Sequence, residues 1–267
     1  MLAASPARAA AGLGIPELDV GSLISQSVVD SLVVLAGFGF QHRPYEPATP
    51  LLLSSPVGFD LSFEATLVKV PDGFFESLAE IGMPMAANEL PSLPSLKFHA
   101  HKGFAETLDI GGSAIWYLNN KVLGADAKVL VLQAEEGPSI AMRLCYTYAT
   151  LGSNNVTVTT HTFSPQILLS RPIEFADPYL GIAYEYTYGR VTADMTAEAK
   201  AQAEAAGIPA ELVPDIGTLE KFSRAMGGMA FGGISLRVPR SGLRTTLEMS
   251  YNTAGVSSMG MKLGFSF

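Results

Sequence analysis

From Gly58 to Phe267 the chain alternates between apolar and polar positions in stretches of about ten residues, punctuated by Gly, Asn, Pro and Asp. Residues two apart share one face of an extended strand, so each stretch sorts its side chains onto two sides. Over 257–267, Met259, Met261, Leu263, Phe265 and Phe267 fall on one side, with Ser258, Gly260, Lys262, Gly264 and Ser266 on the other. Over 243–251, Leu243, Thr245, Leu247, Met249 and Tyr251 oppose Arg244, Thr246, Glu248 and Ser250. Leu180, Ile182, Tyr184, Tyr186 and Tyr188 separate in the same way from Gly181, Ala183, Glu185, Thr187 and Gly189. So do Ile140, Met142, Leu144, Tyr146 and Tyr148 from Ala141, Arg143, Cys145 and Thr147, and Phe59, Leu61, Phe63, Ala65 and Leu67 from Asp60, Ser62, Glu64 and Thr66. Weaker alternations at 95–104, 106–119, 121–133, 156–172 and 228–239 bring the predicted strands to about ten.

A soluble sandwich also alternates, so the placement of charge, loops and rings has to decide. Asp60, Glu64, Lys97, Asp109, Asp126, Lys128, Arg143, Glu185, Arg237, Arg244, Glu248 and Lys262 all fall on the polar side, together with His99 and His101. Lys69, Lys102, Arg171 and Arg190 fall on the apolar side, but near strand ends, where a long side chain reaches lipid headgroups. A Lys or Arg facing lipid at mid-membrane costs roughly 2–4 kcal/mol, against about 0–1 near the interface, and the sequence follows that gradient. The long connections 71–94 and 192–227 both follow odd-numbered strands, whereas 104–106, 134–138 and 239–242, after even-numbered ones, are short. Outward aromatics divide by height: Trp116, Tyr148, Phe163, Tyr186, Tyr188 and Tyr251 toward the long-loop end, and Phe59, Phe104, Phe265 and Phe267 toward the other. The expectation is an all-β fold, an antiparallel up-and-down transmembrane β-barrel over 58–267. The polar face lines its lumen, and its edges are closed because lipid offers no partner to backbone N–H and C=O groups.

Two regions depart from the alternation. Residues 1–12 read as a leader or signal-peptide remnant, and 13–57 as an N-terminal helix and linker. Leu23, Ile24, Val28, Leu32 and Leu35 have helical spacing within 21–36, and Pro44, Pro47 and Pro50 mark the connection that follows. This region is expected to plug the lumen, to cap its periplasmic mouth, or simply to shield one barrel end. In 192–227, Thr196 reads as an N-cap for a helix over 197–206 stopped by Gly207, and 218–226 as a second helix, giving a helical surface loop that serves as a lid or a binding element.

Charged residues are only 16% of the chain, and no run of about 18 apolar residues offers a spanning helix. A net charge of −8 without a basic patch argues against nucleic acid. Cys145, the lone cysteine, has no internal disulfide partner. His99 and His101 share a face with Lys97 and offer two imidazoles to a metal, but no third or fourth ligand follows from the spacing, so neither metal nor cofactor is assigned. No Gly-x-Ser-x-Gly and no loop-side carboxylate pair points to catalysis. Gly227, Gly228, Gly232 and Gly233 are expected to allow a bulge, sharp curvature, or close packing of the N-terminal segment.

The terminal stretch, alternating to Phe267, resembles the signal by which Gram-negative outer-membrane proteins are recognised by the barrel-assembly machinery. That resemblance implies Phe265 and Phe267 as recognition positions, the machinery as a partner, and outer-membrane lipid as the surroundings. The segment from Gly21 through Gly58-Phe-Asp-Leu is similar to an uncharacterised family of outer-membrane proteins, a likeness that brings no activity with it. Together these readings point to a narrow or plugged channel for small solutes or hydrophobic molecules, with no substrate assigned. The alternative is a structural or surface-binding barrel that displays 71–94 and 192–227.

Overall fold

The computed structural model describes residues 25–70, 92–117, 120–134, 137–152, 156–194, 217–238 and 241–267, with isolated positions 196, 200 and 209. Ten strands form a closed antiparallel barrel: β1 (Phe59–Lys69), β2 (Ser92–Ala105), β3 (Leu108–Tyr117), β4 (Asn120–Gln133), β5 (Ser139–Gly152), β6 (Val156–Ser170), β7 (Ala176–Asp194), β8 (Thr218–Arg237), β9 (Leu243–Asn252) and β10 (Ser257–Ser266). Each strand pairs with its sequence neighbours, and β10 returns to β1 in a register that sets Glu64 opposite Lys262 and Phe63 opposite Leu263. Phe59 and Phe267 exchange backbone hydrogen bonds of 2.9 Å, which completes the seam. The sheet closes on itself, and the first half of β8, Thr218–Gly228, extends past β9 and pairs with β7 alone.

The polarity of the wall is inverted relative to a water-soluble protein. Leu96 is 73% exposed and Phe63 69%, while their neighbours Lys97 and Glu64 are each 1% exposed. Met142, Leu144, Ile182, Met249, Met261 and Leu263 continue the outer apolar surface around the cylinder. Tyr148, Tyr186, Tyr188 and Tyr251 point outward near the end where odd-numbered strands finish, and Phe59, Phe104, Phe265 and Phe267 near the opposite end. The backbone of Trp116 belongs to β3, but its side chain lies outside the described residues. His161 also faces outward, its Nδ1 2.8 Å from the Tyr146 hydroxyl.

Three expectations need correction. The helix anticipated at 218–226 is the first half of β8, which pairs with β7 without a break from Asp194↔Thr218 to Ala176↔Leu236. Local propensity yields there to cross-strand partners: Arg190 meets Glu220 at 3.2 Å, and the Tyr188 and Phe222 rings stack at 6.1 Å. The same continuity removes the bulge considered at 227–233. Register shifts occur instead between Gly103 and Ala105 and between Leu130 and Leu132. Third, the N-terminal helix α1 (Gln26–Val34) sits at the loop mouth, not at the mouth beside the barrel termini. Val28, Val29, Val33 and Ala36 pack on Val158, Val191 and Ala193, which lie at the loop ends of β6 and β7. The leader 1–12, the N-terminal region through 24 with the start of the expected helix 21–36, most of the loop 71–94 and all but position 200 of the expected helix 197–206 lie outside the described residues.

The apolar outer surface has a height-dependent consequence. Met261→Arg, midway along β10, should destabilise the barrel in lipid vesicles by roughly 2–4 kcal/mol, and Tyr251→Arg, at the loop end of β9, by about 0–1. Urea titration of both variants measures this, and equal costs at the two heights would contradict a hydrocarbon surround.

Candidate functional site

The lumen is occupied by the chain itself. Ser25 caps α1, its Oγ accepting the Val28 N–H at 3.3 Å. A π-helical turn, Leu35–Gly39, then places Leu35 and Phe38 against Val68, Val70 and Val256. Beyond it, residues 41–50 run through the lumen without helix or strand, all of them buried, with Tyr45 in the left-handed region at φ +50 and a bend at Ala48 and Thr49. A second short helix, α2 (Leu51–Ser54), turns the chain at the far mouth, where the Leu51 N–H donates to both Asp109 oxygens at 3.1 and 3.2 Å. Gly58, at φ +65, redirects it into β1, a conformation that side-chain-bearing residues rarely adopt.

Proline suits this segment. Pro44, Pro47 and Pro50 favour an extended backbone and carry no N–H that would need an acceptor in the lumen. Wall glycines make room for the segment. A Cβ at Gly189 would lie 2.6 Å from Val33, one at Gly124 2.2 Å from the Cβ of His42, and one at Gly260 2.4 Å from the Tyr45 ring. These positions lie on β7, β4 and β10. At the glycines singled out in the sequence, a Cβ would meet wall residues instead, Asn252 at Gly227 and Tyr179 at Gly233.

Glu46 is the centre of the charge network. Its carboxylate lies 3.1 Å from Lys262, 3.6 Å from Lys128 and 3.4 Å from Nδ1 of His101. Lys128 also meets Asp109 at 2.9 Å and donates to the carbonyls of Pro47 and Thr49. Lys262 reaches Asp60 at 3.5 Å. On the β1–β2 wall, Lys97 bridges Glu64 at 3.1 Å and the Gln41 carbonyl at 2.8 Å, and His99 Nε2 lies 2.7 Å from Glu64. His42 spans Ser113 and Asp126, each at 2.7 Å, and Asp126 also meets His101 at 3.0 Å. Across the lumen, Gln41 and Asn252 both donate to Glu185, while Arg43 reaches Ser250 and, at 2.6 Å, Ser258.

Asp60, Glu64, Lys97, His99, His101, Asp109, Asp126, Lys128 and Lys262 therefore converge on the segment, and Glu185 joins them through Gln41. Arg143, Arg237, Arg244 and Glu248 are engaged elsewhere on the wall. Arg143 donates to Gln166 at 2.6 Å, Arg244 to Ser235 at 2.6 Å, and the Tyr179 hydroxyl to Glu248 at 2.7 Å. Arg237 pairs at 3.0 Å with Asp177, a buried carboxylate that the alternation did not single out. The larger omission was the individual side chains Gln41, His42, Arg43, Tyr45 and Glu46, which lie in the region expected as a possible plug but were not singled out as site residues. The available signal was Arg43 and Glu46 set between closely spaced prolines, ahead of the apolar Leu51, Leu52 and Leu53.

Glu46→Gln should raise amide exchange across 41–50 in detergent-folded protein at neutral pH, because it breaks the buried pairs with Lys262 and Lys128, and breaking a buried ion pair costs roughly 3–5 kcal/mol. Exchange unchanged in the variant would show that other contacts hold the segment.

No family model matches the sequence, and no curated protein does. Among solved structures the chain is similar to Neisserial surface protein A, at 12% identity and TM-score 0.33, over 78% of this chain and 97% of that one. It is also similar to the Acinetobacter baumannii outer membrane protein Omp33, at 8% identity and TM-score 0.32, over 78% and 97%. A third is the KdgM porin in complex with disordered oligogalacturonate, at 7% identity and TM-score 0.34, over 78% and 99%. At this level of likeness no ligand, activity or location carries over to this chain.

Proposed function

We propose that this protein is an outer-membrane β-barrel of a Gram-negative-type envelope, closed by its own N-terminal segment, and that it passes small solutes when that segment is displaced. The observation that carries the reading is the nature of the plug: residues 41–50 are buried in the lumen, yet they are held by ion pairs and hydrogen bonds as much as by apolar packing. Such contacts can be replaced by water and ions when the segment leaves, whereas a dry apolar plug has no comparable substitute. The emptied wall would present Asp60, Glu64, Asp109 and Asp126 beside Lys97, Lys128, Lys262 and Arg143. Opposite charges in near balance favour a narrow path without strong ion selectivity, consistent with a ten-stranded cylinder. The exposed apolar surface supports the membrane setting, and the seam position of Phe267 supports Phe265 and Phe267 as assembly signals read by the barrel-assembly machinery.

A second reading rests on a separate observation, the direction of threading. The segment enters at the loop mouth and leaves at the terminal mouth, so Ser25, the first described residue, stands on the loop side. In the outer-membrane orientation that side faces the exterior, and the barrel would then anchor displayed elements, including the connection 71–94.

Planar-bilayer recordings separate the two. The full chain should give little steady current, and a variant lacking 25–50 should give a stable small conductance, with a heat-modifiability gel confirming that each barrel is folded. No current from either folded protein would overturn the conduit reading. An epitope placed ahead of Ser25 should be labelled on intact cells if the display reading holds, and only after permeabilisation if it does not.

A further inference from the structure

We propose that His42, His101 and Asp126 form a binding site for a divalent transition-metal ion, zinc in the first instance, built jointly by the N-terminal segment and the barrel wall. The three side chains converge through one point: His42 Nε2 lies 2.7 Å and His101 Nε2 3.0 Å from the same oxygen, Oδ1 of Asp126. All three donor atoms fall within 4.8 Å of one another, and all three residues are buried. Two imidazoles and a carboxylate are a donor set that suits zinc and its neighbours rather than magnesium or calcium, which take oxygen ligands.

The wall is shaped for this convergence. His101 on β2, Gly111 on β3 and Asp126 on β4 stand side by side in register. Gly111 leaves the gap that the His101 ring crosses to reach Asp126, because a Cβ there would sit 1.6 Å from the ring. Gly124 does the same for His42 on the neighbouring row.

The opposite ring nitrogens supply a second argument. His42 Nδ1 lies 2.7 Å from the Ser113 hydroxyl, as metal-bound histidines characteristically direct the other nitrogen at an oxygen, whereas His101 Nδ1 makes no hydrogen bond and stands 3.4 Å from the Glu46 carboxylate. With protons on Nδ1, both Nε2 lone pairs and Asp126 Oδ1 face one another, an arrangement that needs a cation between them. The alternative is a proton on each Nε2. Charge balance separates Asp126 from its neighbours: Glu46, Asp60, Glu64 and Asp109 each have a lysine within 3.6 Å, whereas the hydrogen-bond and ion-pair partners described for Asp126 are the two histidines. The nearby combination of Glu46, Asp60 and His101 already holds Lys262, so the ion belongs on the Asp126 side.

His42 belongs to the plug and the other two ligands to the wall, so a bound ion would fasten the segment in place and couple metal uptake to its insertion. The test uses the full chain folded in detergent after chelator treatment and titrated with Zn2+ against a chromophoric competitor. One equivalent should bind to the wild type and to His161→Ala, while His42→Asn and Asp126→Asn should lose that equivalent. Ser113→Ala, which removes only the partner of Nδ1, should weaken binding by roughly 10–100-fold. Co2+ bound to the wild type should show the intense visible bands of a tetrahedral centre and lose them on adding Zn2+, a readout that stands even if a variant fails to fold. Absence of stoichiometric binding by the folded wild type would overturn the proposal, as would equal binding by folded His42→Asn. Retention through both substitutions but loss in His161→Ala would assign the ion to the outer surface and overturn it equally.

Discussion

Charge inside this barrel has to be answered inside it. Beside Lys97, Lys128 and Lys262 the outer face carries the exposed apolar side chains Leu96, Val129, Met261 and Leu263, and each lysine finds its carboxylate within the lumen. Much else depends on that requirement. It sets which face each strand turns inward and brings Glu46 between Lys128 and Lys262. It also makes the N-terminal segment a structural part of the cylinder rather than a tail.

The sequence made the wall legible because a barrel strand repeats its exposure every second residue. Lys97 beside Leu96, or Lys262 between Met261 and Leu263, is enough to assign both faces without knowing any partner. The segment inside had no comparable signal. It is neither strand nor helix, its prolines read as linker, and its partners are far away: His42 answers Asp126, and Gln41 answers Glu185. Residues 218–226 misled for a related reason. Taken alone they favour a helix, but β7 supplies an edge of 19 residues that demands a partner of matching length. The mouth occupied by α1 followed from the packing of Val28 and Val33 on β6 and β7, which no local pattern encodes.

The same distance in sequence explains why the histidine cluster escaped notice. His99 and His101 share one strand face, and the third member of the cluster comes from the plug, 59 residues before His101, where Gly124 leaves space for it. The polar plug and the empty cross-strand positions are one design: small residues on the wall exist where large ones on the segment arrive.

Threading also has a mechanical side. The run 41–50 lies between the two mouths and is continuous with β1 through α2 and Gly58. A pull on the chain ahead of Ser25 would act lengthwise along that run, loading the contacts of Gln41, His42, Arg43 and Glu46 together in shear rather than peeling them one at a time. Traction toward the loop side therefore meets the segment at its strongest, and side-chain exchange of individual pairs with water, not tension, is the easier way to free it.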